Sequence, residues 1–205
     1  VDGTQGWINT MDSTSNVRGS PPFVTATGGT ITTCGNFKIH TFTGPGTFCV
    51  SSAGTPAGST IIDYMVVAGG GAGAGPMGTD SAGGGGGGAG GFRLSNDTCM
   101  PAPLTSPLAN PTGLTATVTS FPITIGAGGT PNANPPGAGG CGSNSIFSSI
   151  TSTGGGGGGS HPGAPVPLQS GQPGGSGGGA GRSSTPTPPS NGGVGNTPPV
   201  SPPQG

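Results

Sequence analysis

The sequence predicts an all-β protein in which a small β core carries packed polyglycine II or polyproline II segments, with no helix. Three observations predict this class. Glycine supplies 50 of the 205 residues and is gathered into runs such as Gly83–Gly88 and Gly154–Gly159. Short β-branched or aromatic stretches directly precede or follow these runs. Proline and glycine interrupt every long window, which excludes a long helix.

The glycine runs have two interpretations. Glycine has no side chain to bury and loses the most backbone entropy on folding. A long run is therefore either a flexible linker or a structure held by backbone hydrogen bonds between neighbouring segments. Polyglycine II resembles polyproline II, a left-handed helix with about 3 residues per turn and a rise of about 3.1 Å. If the runs pack in this way, a side chain at Gly86 or Gly156 would stand where backbones touch.

The first part of the chain, residues 1–27, is expected to be the end of a preceding module or an N-terminal connector. It begins at a valine and carries no signal peptide, which favours a processed product or a fragment. Trp7 is expected to pack at a module junction, and the alternative is a partner anchor. Residues 28–160 are predicted to form a glycine-rich β domain.

Three strands are predicted at the start of this domain. Asn36–Phe42 and Thr47–Val50 flank Gly44-Pro45-Gly46, which indicates a hairpin by its turn residues. Thr60–Val67 is the third strand, because its many β-branched residues disfavour a helix. It runs straight into glycine.

The same strand–glycine junction recurs further along the chain. Phe121–Ile125 and Phe147–Thr153 each run into glycine, and Gly83–Gly91 runs into a strand that begins at Phe92. Arg93 follows directly, and its guanidinium, with five donors, is predicted to bridge backbone carbonyls; ligand binding is the alternative. Phe92 and Tyr64 are expected to cap the same edge of the core.

The last part, residues 161–205, is a Pro/Gly-rich extended segment. By itself it would be a flexible or polyproline II linker, and packed along the glycine runs it would add extended strands. Both interpretations stay open. Thr185 and Thr187 are candidates for O-glycosylation, with a bare linker as the alternative. Asn96 opens an N-glycosylation sequon that is meaningful only in a secretory pathway or a glycosylating host.

Composition disfavours several functions. With 4 Lys and Arg and 5 Asp in total, the chain lacks the clustered basic residues that bind nucleic acid. No apolar stretch has the length that spans a bilayer, so no membrane insertion is expected. No pair of acids or nucleophile–base motif indicates an enzyme, and neither a cofactor nor a metal is expected. His40 is expected to face solvent or to bond across its hairpin.

The cysteines form an even set, Cys34, Cys49, Cys99 and Cys141. Disulfides are expected, which would favour an extracellular location. Three connectivities are possible, with Cys34–Cys49 and Cys99–Cys141 preferred because they close short loops. Free buried thiols are the alternative.

The order of several motifs resembles the glycine-rich domain of bacteriophage tail fibres and related viral surface proteins. The residues that carry the resemblance, over roughly 26–160, are Ala26–Thr30, Lys38–Phe48, Tyr64–Gly71 and Gly85–Arg93. It implies a distal tail-fibre module, without catalytic residues, whose exposed loops recognise the host surface. The four cysteines and the Pro-rich end depart from the pattern.

The expected function is therefore an extracellular, non-catalytic structural or adhesive protein. The first hypothesis is a distal module of a virion tail fibre that binds a bacterial surface glycan or protein. The alternative is a structural subunit of a helical extracellular or cell-surface filament. Self-association as a homotrimer or a helical polymer is expected in either case. Receptor contacts are expected on segments that interrupt the glycine runs, at Met77, Asp80, Asp97, Met100 and Leu104.

Overall fold

The computed structural model describes residues 21–75, 83–96, 106–132, 137–161, 164–182 and 189–205. In chain order the strands are β1 (Val24–Thr27), β2 (Thr30–Cys34), β3 (Phe37–Thr41), β4 (Gly46–Ala53), β5 (Ile61–Ile62), β6 (Met65–Val67), β7 (Phe92–Ser95), β8 (Ala109–Asn110), β9 (Leu114–Thr115), β10 (Ser120–Thr124), β11 (Ser145–Phe147) and β12 (Ile150–Ser152). The one helix among the described residues, α1, is the single turn Val166–Gln169, which Pro165 precedes. The predicted all-β class is confirmed, and this turn is the exception to the expectation of no helix.

The largest sheet has five strands in the order β1-β4-β10-β11-β12, each antiparallel to its neighbour. Alternate residues of a strand face opposite sides of a sheet, and in β4 this places Phe48 and Val50 in the core. The Phe48 ring lies near the rings of Phe121 and Phe147, with centroid distances of 6.4 and 5.9 Å. These aromatic contacts join β4, β10 and β11 into one core.

A second, three-stranded sheet, β6-β7-β8, packs against β11 and β12. Tyr64 and Val66 belong to its buried side. The strand predicted over Thr60–Val67 is divided into β5 and β6 here. At the break the Ser95 hydroxyl accepts a hydrogen bond from the Tyr64 N–H (2.9 Å) and donates one to Asp63 Oδ1 (2.8 Å).

The predicted hairpin between β3 and β4 is wrong, although both strands exist. β3 pairs with β2 instead, in a register that ends at Cys34 and Phe37. The two-residue turn between them begins at Gly35, whose φ of 56° is the left-handed conformation that tight hairpin turns require. The residues around Pro45 make a longer connection that carries the chain into the five-stranded sheet.

The strand predicted over Phe147–Thr153 is a hairpin, with Phe147 opposite Ile150. Ser148, with φ of 55°, makes its turn. Serine rarely adopts this conformation, so the sequence contains no clear signal for the reversal. The hairpin places Ser152 at the point where the long glycine run begins.

Candidate functional site at the outer end of a glycine bundle

Beyond the β core the chain forms eight extended segments that pack as a bundle. We name them g1 (68–75), g2 (83–91), g3 (126–132), g4 (137–143), g5 (153–161), g6 (170–175), g7 (176–182) and g8 (189–195). Hydrogen bonds between them recur every third residue: Ala68, Gly71 and Ala74 of g1 donate to g2. This is the period of a polyglycine II lattice, whereas a β-ladder has a period of two.

The g5 segment lies at the centre of the bundle, and its residues from Gly154 to His161 are all buried. A buried backbone polar group without a partner is costly, and every N–H from Thr153 to Ser160 has an acceptor. The acceptors, in chain order, are Gln204 Oε1, Asn144 Oδ1, Gly69 O, Ser176 O, Cys141 Sγ, Ala72 O, Gly179 O and Leu168 O. The donors to the carbonyls of Thr153 to Gly159 are the N–H groups of Gly91, Gly175, Gly142, Gly88, Gln172, Gly139 and Gly85.

These bonds place five segments around g5, namely g1, g2, g4, g6 and g7. The sixth side, between g4 and g6, has no glycine segment among the described residues. There the N–H groups of g5 bond to the Asn144 side chain, the Cys141 thiol and the Leu168 carbonyl. The g3 segment bonds to g1 and g4, and g8 bonds to g6 and g7. Residues 170–195 are therefore part of the bundle wherever the structure describes them, which answers the open question about the C-terminal part.

Close backbone contact explains most of the glycines in the bundle. A Cβ atom at Gly156 would overlap the carbonyl oxygen of Gln172, and one at Gly157 would overlap that of Gly139. Gly86 differs, because a Cβ there would meet no atom within 4 Å. The expected clash is thus found at Gly156, and the same expectation is wrong at Gly86, which lies exposed on the surface of the bundle.

The two ends of the bundle are different. At the inner end the segments join the β core: g1, g3 and g5 follow β6, β10 and β12, and g2 and g4 precede β7 and β11. At the outer end, g1 leads to g2 through residues 76–82, and g3 leads to g4 through 133–136. From g5 the chain passes through 162–163 and α1 into g6, and from g7 it passes through 183–188 into g8. Four connections therefore start and finish at one end.

Hydrogen bonds between the segment ends confirm that these attachment points are neighbours. The Arg182 N–H donates to the Gly83 carbonyl (3.2 Å), and the Gly85 N–H donates to the Gly159 carbonyl (2.7 Å). Gly75 lies so close to Asn132 that a Cβ atom on it would overlap the Asn132 carbonyl oxygen. The described segment ends at the outer end are thus close neighbours, held by the hydrogen bonds of the bundle.

The predicted contact residues divide between the two ends of the molecule, and all of them lie outside the described residues. Met77 and Asp80 belong to a connection at the outer end. Asp97, Met100 and Leu104 belong to residues 97–105, which in sequence follow the end of β7 that points away from the bundle. The connections at 162–163 and 183–188 were not predicted as contacts, because only the order of the segments in space shows that they share the outer end.

The predicted structural residues are found in and beside the β6–β7 ladder. Tyr64 is buried in the core, and Phe92, opposite Val67, donates its N–H to the Gln204 carbonyl at 2.8 Å. Arg93 lies opposite Val66, half-buried. In the described part of the chain its guanidinium bonds to no glycine carbonyl. Trp7, Thr185 and Thr187 lie outside the described residues, and Asn96 is half-buried at the end of β7.

The disulfide prediction is not supported. Cys34, Cys49 and Cys141 are free thiols, and Cys99 lies outside the described residues. The predicted Cys34–Cys49 bond is wrong, because Cys34 lies at the turn of the β2–β3 hairpin whereas Cys49 lies in the five-stranded sheet, 3.2 Å from Ser120 Oγ. The Cys141 sulfur instead accepts the N–H of Gly157 at 3.4 Å, so this thiol supports the bundle without forming a covalent link.

The described residues contain no group of three or more His, Cys, Asp or Glu side chains placed to hold a metal ion. Within the same residues no helix is long and apolar enough to cross a membrane. The His40 ring bonds to the Gly28 carbonyl (2.8 Å) and packs edge-on against Phe48. The ring therefore stabilises the base of the β2–β3 hairpin.

Comparison with known proteins places this bundle in a family. Residues 41–204 match the glycine-rich domain family, and the chain belongs to it. The match covers strands β4 to β12 and the bundle, including the Pro-rich C-terminal part. It does not connect the chain to phage tail fibres. Neither a curated protein nor a solved structure matches the chain.

Proposed function

We propose that this protein is an extracellular, non-catalytic adhesive module, the distal part of a virion tail fibre, whose outer end binds a receptor on a bacterial surface. The observation that supports the proposal most is the position of the four connections at one end of a hydrogen-bonded bundle. Recognition commonly resides on loops that a rigid scaffold presents. Here the glycines of the scaffold allow close backbone packing, whereas the connections contain more varied side chains.

The composition of these connections supports a neutral, polar binding surface. Residues 76–82, 133–136 and 183–188 contain Ser, Thr, Asn and Pro, with Asp80 as their one charged residue. Such a surface suits a glycan or a polar protein surface and is unsuited to nucleic acid, which needs clustered positive charge. Several copies on one homotrimeric or polymeric fibre would raise a weak single-site affinity through multivalency.

The proposal is tested by exchanging connections. In one variant residues 76–82, 133–136 and 183–188 are replaced by Gly/Ser spacers of equal length. In the matched control residues 97–105, which follow the end of β7 that points away from the bundle, are replaced in the same way. Binding of labelled protein to a broad panel of bacteria is measured, with thermal unfolding as the check on folding. We expect the first variant to lose binding and the control to keep it.

Two results would reject this function. One is full binding by the first variant when it is correctly folded. The other is the absence of binding by the unaltered protein to every bacterium in the panel, which would favour the filament alternative.

The alternative, a structural subunit of a helical extracellular filament, has one observation in its favour. The β2–β3 hairpin is a separate two-stranded sheet with neither outer edge paired in the described residues. Its apolar side chains Ile31, Phe37 and Ile39 are 44%, 47% and 46% exposed. Exposed apolar edge strands are sites of self-association. Negative-stain images distinguish the two functions: capped rods favour a fibre tip, and open-ended filaments that Phe37→Ser abolishes favour a subunit.

A further inference from the structure

The sequence contains one Asn-Gly pair, Asn191-Gly192, and it lies in g8 at the edge of the bundle. Both residues are exposed. The Asn191 carbonyl accepts the Gly171 N–H at 2.8 Å, and the Gly193 N–H donates to the Gly178 carbonyl at 2.7 Å. The backbone on both sides of the peptide bond between Asn191 and Gly192 is thus held in place.

The two groups that react in deamidation, the Gly192 N–H and the Asn191 carboxamide, are not engaged in hydrogen bonds with any of the described residues. Space is also open at Gly192, where a Cβ atom would have one neighbour within 4 Å, the Gly178 carbonyl oxygen at 3.7 Å. The Gly192 nitrogen, which has no side chain to shield it, is therefore adjacent in sequence to a carboxamide that makes no hydrogen bond within the described part of the chain.

We propose that Asn191 is a site of spontaneous deamidation. The Gly192 amide nitrogen loses its proton and attacks Asn191 Cγ, a C–N bond forms, and the carboxamide nitrogen leaves as ammonia. Water then opens the resulting five-membered succinimide at either carbonyl, which gives aspartate or isoaspartate. One water is consumed and one ammonia is released, so no oxidant, cofactor or enzyme is needed.

The two products affect the bundle differently. Each adds a negative charge to a chain whose formal net charge is −1. Isoaspartate also routes the main chain through the former side chain, which lengthens the backbone of g8 by one carbon. The bonds from Gly171 to Asn191 and from Gly174 to Val194 depend on a spacing of three residues. Isoaspartate therefore shifts g8 against g6, whereas aspartate leaves the register unchanged.

A neighbouring asparagine serves as an internal control. Asn196 Oδ1 accepts the N–H groups of Val200 and Gln204, both at 3.2 Å, and its Nδ2 donates to the Val200 carbonyl at 3.1 Å. The next nitrogen, of Thr197, donates to the Gly174 carbonyl at 3.0 Å. Hydrogen bonds thus engage both the Asn196 carboxamide and the Thr197 N–H, the two groups that would react in deamidation of Asn196.

The test uses the intact folded protein, incubated in mildly alkaline buffer, then denatured and digested briefly with trypsin. Cleavage after Arg182 releases residues 183–205, which contain both asparagines. We expect a gain of about 1 Da in fragment ions that contain Asn191 and none that maps to Asn196. Isoelectric focusing should show an acidic form that accumulates with time, and Gly192→Ala should slow it, since the Cβ atom fits the fold but crowds the attacking nitrogen.

A synthetic peptide of residues 183–205 shows how fast the same bond reacts without the fold. If the peptide deamidates at Asn191 and the folded protein does not, the proposal is wrong. Modification of Asn196 at the same rate as Asn191 in the folded protein would equally overturn it. The Asn191→Asp variant separates the effect of the added charge from that of the longer backbone, because it carries the charge alone. This variant should unfold at the same temperature as the unmodified protein, whereas the isoaspartate form should unfold at a lower temperature.

Discussion

At the scale of single residues, glycine has two different roles in this bundle. At Gly156 the backbone of g6 occupies the space that a side chain would need, whereas at Gly86 that space is empty. The two positions have the same residue and the same kind of run around them. The two positions differ in the backbone that faces them. That difference depends on the packing of segments that are far apart in sequence.

This difference gives a paired prediction. Gly156→Ala should lower the free energy of unfolding by about 1–3 kcal/mol or more, as overpacking does in a filled core. Gly86→Ala should be neutral or stabilise by about 0.4–1 kcal/mol, because it restricts the unfolded chain and fits the folded one. Denaturant unfolding of both variants measures the contrast. Equal losses, or no loss at either position, would show that g5 is not packed as described.

Cys141 gives a second prediction at this scale. Its thiol is the acceptor for the buried Gly157 N–H, so Cys141→Ala should cost about 1 kcal/mol, the low end for an orphaned donor because sulfur accepts weakly. Cys141→Ser should recover part of this loss. Cys34→Ala, at an exposed hairpin turn, is the control and should change nothing under reducing conditions. A larger effect at Cys34 than at Cys141 would contradict the assignment.

At the scale of elements, the C-terminal residues close the junction between core and bundle. Gln204 is 1% exposed. Its Oε1 accepts the Thr153 N–H at 2.9 Å, and its Nε2 donates to Thr153 Oγ1 at 3.1 Å and to the Pro198 carbonyl at 3.2 Å. A polar side chain near the end of a Pro-rich stretch thus joins the end of β12 to the last turn of the chain.

Replacement of this side chain should therefore be costly. We expect Gln204→Ala to destabilise the protein by about 1–3 kcal/mol, since it leaves the Thr153 N–H without an acceptor. Val194, 70% exposed in g8, provides the control, and Val194→Thr should be neutral. Thermal melting of the two variants is the measurement. If they melt together at the temperature of the unaltered protein, the C-terminal residues do not hold the junction.

The strands and glycine segments also show which parts of the fold can be predicted from the sequence. The strands at β3, β4 and β10 were predictable because β-branched and aromatic residues gather there between turn residues. Their partners were not, since the β2–β3 turn depends on the conformation of Gly35 and the β11–β12 turn on that of Ser148. Packing of the glycine runs was predictable from the strands that directly precede or follow them. The place of g6, g7 and g8 was not, because Pro-rich sequence is equally consistent with a linker.

At the scale of the whole molecule, the packing that buries the glycine backbones also brings the ends of four connections to the same end of the bundle. The candidate contacts were predictable as interruptions of the glycine runs. Their grouping was not predictable, because residues 83–182 separate 76–82 from 183–188 in sequence. Residues 97–105 look equivalent in sequence, but they follow the end of β7 that points away from the bundle.

The account depends above all on g5 being a buried, fully hydrogen-bonded segment. Amide hydrogen exchange of the intact protein tests this most directly, because exchange reports the opening of each hydrogen bond. The N–H groups of Gly154 to Gly159 should be among the slowest in the chain, and the exposed N–H of Gly86 should exchange rapidly. Exchange of Gly154–Gly159 at the rate of an unstructured glycine linker would contradict the bundle and the outer-end surface built on it.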